Sequence, residues 1–331
     1  MRQANGAYGA PAWLPGGHAQ TIYPALIPRP RVSYRRQRID TPDGDFIDFD
    51  WIDAPAATAA TPLVVLFHGL EGNSSSTYAL ALMAHVASIG WRGVVPHFRG
   101  CSGEPNRRPR AYHSGDYTEV AWMLATIGAQ APAAPLFAAG VSLGGSALLN
   151  WLGREEHRAS SRLRAAAAVS TPLDLTAAGI AIDLGLNRVY SRYFRRTLVP
   201  KALEMARRFP DALDAAAIGR VDSMYRFDDA VTAPLHGFAG VDDYWARASS
   251  KPWLKAVAVP TLVLNARNDP FIPAASLPDR SQVSSAIALE QPEEGGHGGF
   301  LDLPFPGRFD WLPRRLVAFF RTAIPTGIAL P

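Results

Sequence analysis

Gly140-Val141-Ser142-Leu143-Gly144 stands between an apolar β-rich run, Pro135-Leu136-Phe137-Ala138-Ala139, and a second apolar run of helical character, Ala147-Leu148-Leu149-Asn150-Trp151-Leu152. Glycines on both sides of the serine let a strand and a helix approach without Cβ clashes, and the turn between them lifts one hydroxyl clear at the helix N-terminus. The stretch predicts strand, sharp turn, helix: a nucleophile elbow with Ser142 at its tip. The pattern alone is a weak signal, so its weight depends on what surrounds it.

What surrounds it is an alternation of short β-rich runs and helical patterns, which argues a mostly parallel sheet flanked by helices. Arg36 to Ile39 and Phe46 to Trp51, joined by Thr41-Pro42-Asp43-Gly44-Asp45, read as an antiparallel hairpin at the sheet edge. Strands then follow at Leu63 to Phe67, Gly93 to His97, Pro135 to Ala139 and Ala165 to Ser170, with helices over Tyr78 to Ile89 and Tyr117 to Ile127. After Thr171-Pro172 a long helical, charged segment runs to about Pro252 and interrupts the rhythm. Strands at Thr261 to Ala266 and Ala286 to Glu290 and a helix from about Phe309 to Thr322 close the chain. The expected organisation is a core of 1–171 and 253–331 carrying a helical lid of 172–252, inserted after the sixth of eight strands.

The 331 residues would suit two domains, yet a single large α/β sheet also reaches this length. Hydrophobic residues make up 48% and charged ones 19%, which supports a sizeable core and excludes disorder. The stretch from Met1 to Tyr23 is broken by glycine and proline and has no apolar leader, and no run of about 18 apolar residues occurs. A cytoplasmic location is the expectation. Cys101 is the only cysteine, so no intrachain disulfide and no thiolate metal cluster can form. A net charge of +4 and a pI near 9.3 are modest, and no basic run interleaved with aromatics points to nucleic acid. No metal or other cofactor is expected, and the oligomeric state is not legible.

In open parallel sheets ligands sit beyond the carboxyl ends of the strands. A serine needs a base, and the base needs an acid to hold its tautomer. Asn268-Asp269-Pro270 follows one strand and Gly295-Gly296-His297-Gly298-Gly299 the next, giving the order Ser142, Asp269, His297 expected of an α/β-hydrolase. The oxyanion would be held by the N–H of Leu143 and a second amide from His68-Gly69-Leu70-Glu71-Gly72, with Leu70 the expected donor. Asp174 is an alternative acid, though its position suits a helix cap. His113 and His236 follow no strand end in the required order, Cys101 has no paired base, and His18 is open between lining the site and a local hydrogen bond. Within the lid, Tyr190, Tyr193, Phe194 and Phe238 are candidates for substrate binding. Its arginines and lysine, Arg188, Arg192, Arg195, Arg196, Lys201, Arg207 and Arg208, read either as a basic face for anionic lipid or as a solvated helix surface.

Several further motifs carry a resemblance. They are Gly17-His18-Ala19-Gln20-Thr21-Ile22, His68 to Gly72, His97-Phe98-Arg99-Gly100-Cys101-Ser102-Gly103-Glu104-Pro105-Asn106, Tyr112-His113-Ser114-Gly115, Gly140 to Gly145, Asp269-Pro270-Phe271 and Gly296 to Gly299. With these the chain resembles the YheT-type, embryogenesis-associated (AB-hydrolase-4) branch of the α/β-hydrolases over nearly its whole length. The stretch from His97 to Asn106 is the most specific; many members of the wider superfamily carry an aspartate at His97. The resemblance implies an α/β-hydrolase fold, a Ser142, Asp269 and His297 triad, a lid over an acyl pocket, and serine esterase or lipase-like hydrolysis. The expected substrates are carboxylic esters of short to medium, including lipid-derived, acyl chains. An acyltransferase would use the same constellation, and a non-catalytic ligand receptor would need a missing triad member, whereas all three are present.

Overall fold

The computed structural model describes residues 8–54, 56–302 and 304–324, so residues 1–7 of the N-terminal stretch read above lie outside the described residues. Among the described residues there are eight strands: β1 (Arg35–Asp40), β2 (Phe46–Ile52), β3 (Leu63–Phe67), β4 (Arg92–Pro96), β5 (Leu136–Val141), β6 (Ala165–Val169), β7 (Thr261–Leu264) and β8 (Ile287–Glu290). They form one sheet in the order β1-β2-β4-β3-β5-β6-β7-β8. β2 pairs antiparallel with β1 and β4, and every other neighbour is parallel. The expected hairpin and mostly parallel eight-stranded sheet are therefore the observed ones.

Side chains of β3 alternate between the two faces: Leu63, Val65 and Phe67 join one apolar core, and Val64 and Leu66 the other. That period of two, with both faces apolar, is what a strand covered by helices on each side requires. The helices preceding β6 are α1 (Gly17–Ile22), α2 (Thr77–Ser88), α3 (Tyr117–Gln130) and α4 (Leu143–Glu155). Val120, Met123 and Ile127 of α3 and Leu148 and Leu152 of α4 fill the first core. Leu82, Met83 and Val86 of α2 fill the second, together with residues of the C-terminal helix.

Between β6 and β7 the chain forms α5 (Leu175–Ile182), α6 (Arg188–Arg208), α7 (Ala215–Gly219), α8 (Met224–Phe227), α9 (Ala233–Leu235) and α10 (Val241–Ala248), and α11 (Trp311–Arg321) follows β8. This segment has an apolar cluster of its own, built from Leu198, Ala202, Ile218, Met224, Phe227 and Val231, with Leu70 of the core packed against it. A π-helical turn, Asp228–Thr232, joins α8 to α9, and the Ala233 N–H reaches back five residues to the Asp228 carbonyl. Pro234, next in line, has no N–H to continue a regular ladder.

Two boundaries differ from the sequence expectation in ways that matter to the site. β5 runs on to Val141, directly into the turn, because its ladder with β6 continues and the Ser142 N–H still donates to the Val169 carbonyl at 2.9 Å. β7 stops at Leu264 rather than Ala266, where the chain turns into the loop carrying Asp269.

Candidate active site

Ser142 has φ 54° and ψ −123°, a left-handed conformation that a non-glycine residue adopts only when its surroundings hold it there. Those surroundings are two close approaches. A Cβ on Gly140 would lie 2.5 Å from the Gly144 carbonyl oxygen, and one on Gly144 would lie 2.4 Å from the carbonyl oxygens of Phe67 and His68. Only glycine fits at either place, which is the physical content of the motif. Although Ser142 occupies the N-cap position of α4, its hydroxyl makes no capping bond.

Ser142, Leu143, Leu70 and His297 share the wall of one cavity of about 160 Å³. The His297 Nδ1 lies 2.8 Å from Asp269 Oδ2, and the other carboxylate oxygen of Asp269 accepts the Phe271 N–H at 2.8 Å. The Asp269 side chain is fully shielded and that of His297 is 13% exposed. With Nδ1–H donated to the carboxylate, Nε2 is the unprotonated nitrogen of the neutral ring. The structure thus brings the sequence candidates Ser142 and His297 to one cavity and joins the third, Asp269, to His297 from behind.

The His68–Gly72 loop passes against the serine: a Cβ on Gly69 would meet Ser142 Cβ at 3.1 Å. The Gly69 N–H donates to Tyr78 Oη at 2.8 Å and the Glu71 N–H to Tyr112 Oη at 2.7 Å, which fixes the loop on both sides of Leu70. Among the described residues, the N–H groups of Leu70 and Leu143 have no acceptor. His68 ties this loop to the next one. Its Nδ1 bonds to the Gly69 carbonyl at 2.8 Å, its Nε2 accepts the Phe98 N–H at 3.0 Å, and burial pushes its pKa down to about 3. It is a neutral strut.

The other candidates separate cleanly. Asp174 accepts the Ala177 N–H and caps α5. His113 and His236 pack tilted against each other with ring centroids 4.4 Å apart at the junction of core and insertion, and burial lowers both pKa values. Cys101 is buried, with its thiol pushed up to about 12 chiefly by that burial, so it is no nucleophile. His18 bonds to Tyr190 Oη at 3.1 Å.

Of the four aromatic lid residues expected to bind substrate, only Phe194 lines the cavity. Tyr193 is exposed on the outer side of α6, Tyr190 stacks on His18 and abuts Phe271, and Phe238 packs on His113 and Tyr244. The wall is made instead by Ile182, Leu198, Met224, Phe227, Val231 and Trp245, residues that periodicity alone could not orient. A larger, more polar chamber of about 700 Å³ adjoins it, shares Tyr112, Leu198 and Phe227 with it, and is bordered by the His97–Asn106 loop.

Two contributors went unrecognised in the sequence. α1 threads between the acid and histidine loops: Gln20 Oε1 accepts both the Asn268 Nδ2–H at 2.9 Å and the Gly295 N–H at 2.8 Å, and Thr21 Oγ1 accepts the His297 N–H at 2.9 Å. Removing a buried acceptor leaves its donors unsatisfied at about 1–3 kcal/mol each. Gln20→Ala is therefore expected to lower kcat about tenfold while KM for a small ester stays within about twofold, because the two loops lose register and the cavity does not. Unchanged kcat in a protein with only a lowered Tm would show that α1 is mere scaffold.

The second is Asp228, in the π turn, among the described residues the one carboxylate on the cavity wall. Thr232 Oγ1 donates to its Oδ1 at 2.7 Å and Trp245 Nε1 to its Oδ2 at 2.8 Å, but burial outweighs these bonds and pushes the carboxyl up to about 6. A carboxyl whose folded pKa is raised destabilises the fold once it ionises, so the penalty is absent below about pH 4 and complete above about pH 6. Asp228→Asn, which can keep both partners, should raise Tm by a few degrees at pH 8 and by nothing at pH 4. Thermal unfolding at the two values checks this, and a gap independent of pH would contradict it.

Among the described residues no group of three or more His, Cys, Asp or Glu is placed to hold a metal ion. Comparison with known proteins agrees with the geometry. The model of the alpha/beta hydrolase fold family matches residues 62–304. The Escherichia coli (strain K12) protein named "Putative esterase YheT" is 37% identical over 309 residues, covering 92% of this chain and 90% of its own. Phospholipase ABHD3 of Homo sapiens is 31% identical over 323 residues, 95% of this chain and 78% of its own. Among solved structures, Est1E of Butyrivibrio proteoclasticus with ferulic acid bound superposes with a TM-score of 0.55 at 16% identity, covering 87% of this chain and 98% of that one. The chain belongs to the α/β-hydrolase fold family, in the branch that contains YheT.

Proposed function

We propose that this protein is a serine hydrolase that cleaves carboxylic esters through an acyl-enzyme. The observation that carries the reading is that His297, hydrogen-bonded to Asp269, lines the same cavity as the strained Ser142, whose hydroxyl makes no capping bond. Ser142 Oγ attacks the ester carbonyl while His297 Nε2 takes its proton, and the Leu70 and Leu143 amides hold the oxyanion. Protonated His297, held by Asp269, then gives that proton to the departing alcohol. Water, activated by the same imidazole, releases the acid and regenerates the serine. The relatives' names, esterase and phospholipase, support the same class of reaction.

The helical insertion 172–252 serves as the lid and sets substrate choice. The cavity beside Ser142 is small and, apart from Asp228, its insertion-derived wall is chiefly apolar, which suits a short to medium acyl chain and disfavours charged or sugar acyl groups. The larger chamber next to it takes the alcohol portion. The test is labelling by a small fluorophosphonate followed by a panel of p-nitrophenyl esters of rising chain length. Label on Ser142 and a turnover maximum at short to medium chains are expected. A folded protein that resists the label has a different chemistry.

A further inference from the structure

The outer surface of the insertion carries an apolar patch that the cavity does not use. Ile180, Leu184, Leu186, Val189 and Tyr193 are each more than half exposed, and Leu186 reaches 75%. They come from one continuous stretch, the end of α5, the short connection that carries Leu184 and Leu186, and the first two turns of α6. Gly185, at φ 51°, makes the bend between the two leucines and has open space beside it, so the pair projects from a convex tip rather than from a groove. An exposed cluster of this kind is unusual on a monomer surface unless something covers it.

Charge identifies what covers it. From Leu184 to Leu203 the chain has four arginines and one lysine and no carboxylate. Lys201 is bound to Glu71 and Arg195 donates to the Val221 carbonyl, but Arg188, Arg192 and Arg196 are exposed and, among the described residues, have no carboxylate partner. Asp183, the nearest acid, is turned inward, where it accepts from the Met224 and Tyr225 N–H groups and from Ser191 Oγ. Apolar side chains at a tip, flanked by unpaired arginines, match the headgroup and upper acyl layers of an anionic bilayer; a protein face would have to supply carboxylates around an apolar socket for a protruding knob.

The patch also backs onto the site. Ile182 and Phe194 line the cavity while Ile180 and Tyr193, on the same helices, and Leu184, just after α5, are exposed. Asn187 Nδ2 donates to the Pro270 carbonyl at 2.5 Å, and Tyr190 packs on Phe271, which packs on His297. We infer that Leu184, Leu186 and Val189 insert into an anionic lipid surface, with Arg188, Arg192 and Arg196 on lipid phosphates, so that the lid docks beside the bilayer. The inference goes beyond ester hydrolysis and stands on the surface alone. In the YheT-like reading, it places the cavity entrance beside a source of lipid-derived esters.

The test is co-flotation of the full chain with large vesicles of phosphatidylcholine alone or with about one-third phosphatidylglycerol. Binding at least tenfold stronger to the anionic vesicles, weakened by salt, is expected. Leu184→Ser with Leu186→Ser should lower that binding at least tenfold, and Arg188→Gln with Arg192→Gln and Arg196→Gln should abolish the preference for anionic lipid, while both retain turnover of a soluble short ester. Ser142→Ala should float as well as the wild type, which separates failure of this inference from failure of the catalytic reading. Wild-type protein that floats with neither vesicle, or leucine variants that float unchanged, would overturn it. So would a solution dimer that the leucine substitutions split, since the patch would then belong to a second copy of the chain.

Discussion

Ser142→Ala is expected to lower ester turnover by about 10⁴ to 10⁶ while leaving the fold intact, a loss that at this site only removal of His297 should match. The loss is large because the hydroxyl oxygen is the atom that forms the acyl-enzyme; without it only the amides and binding contribute, leaving about 10³ to 10⁴ over the rate in water. The fold is spared because the hydroxyl makes no capping bond to α4, and the strained backbone is held by the glycine contacts around it rather than by the side chain. Alanine has no more difficulty than serine with that conformation. The measurements are kcat/KM with a p-nitrophenyl ester and a thermal melt. A folded variant with a tenth of wild-type activity would remove Ser142 from the reaction.

That prediction rests on residues whose placement could be read in advance, and the reason is locality. The elbow is written in consecutive residues: the contact that needs Gly140 is made by the helix that follows it, and only the one that needs Gly144 comes from elsewhere, the end of β3. β3 begins and ends where its apolar run does, since both faces are covered. Asp269 and His297 are legible because strand ends in a parallel sheet gather on one edge. What escaped is what depends on distant partners. Gln20 contacts residues about 250 positions away, and nothing near it in the chain says that it joins two loops.

The helical insertion shows the same limit from another side. A list of its aromatic residues does not say which face of each helix they occupy, and neighbours in sequence end on opposite sides: Phe194 faces the cavity and Tyr193 the outside. The expectation of one long helical segment also concealed the π turn, whose only local sign is Pro234 shortly after it. Asp228 reaches the cavity from that irregular turn, and its carboxylate is held there by Thr232 and Trp245, so burial and hydrogen bonding rather than any motif mark it out.

Asp269→Asn should cut turnover at least 10²-fold, equivalent to about 3 kcal/mol of transition-state stabilisation, while Asp174→Asn should change it little. The geometry dictates how the damage arises. In the native protein one oxygen of Asp269 accepts the Phe271 N–H and the other faces His297 Nδ1. An asparagine that keeps the first bond must turn its amide NH₂ toward the imidazole, and Nδ1 must then act as acceptor. The ring proton moves to Nε2, the nitrogen that has to receive the proton of Ser142, and the base is lost with hardly an atom displaced. Asp174 has no such coupling. It caps α5 through the Ala177 N–H, and asparagine is an equally good cap, so the helix is unaffected. Steady-state kinetics on the two variants with one soluble ester decide the matter: the reverse ranking would make Asp174 the acid, and the acid would then sit after β6 rather than after β7.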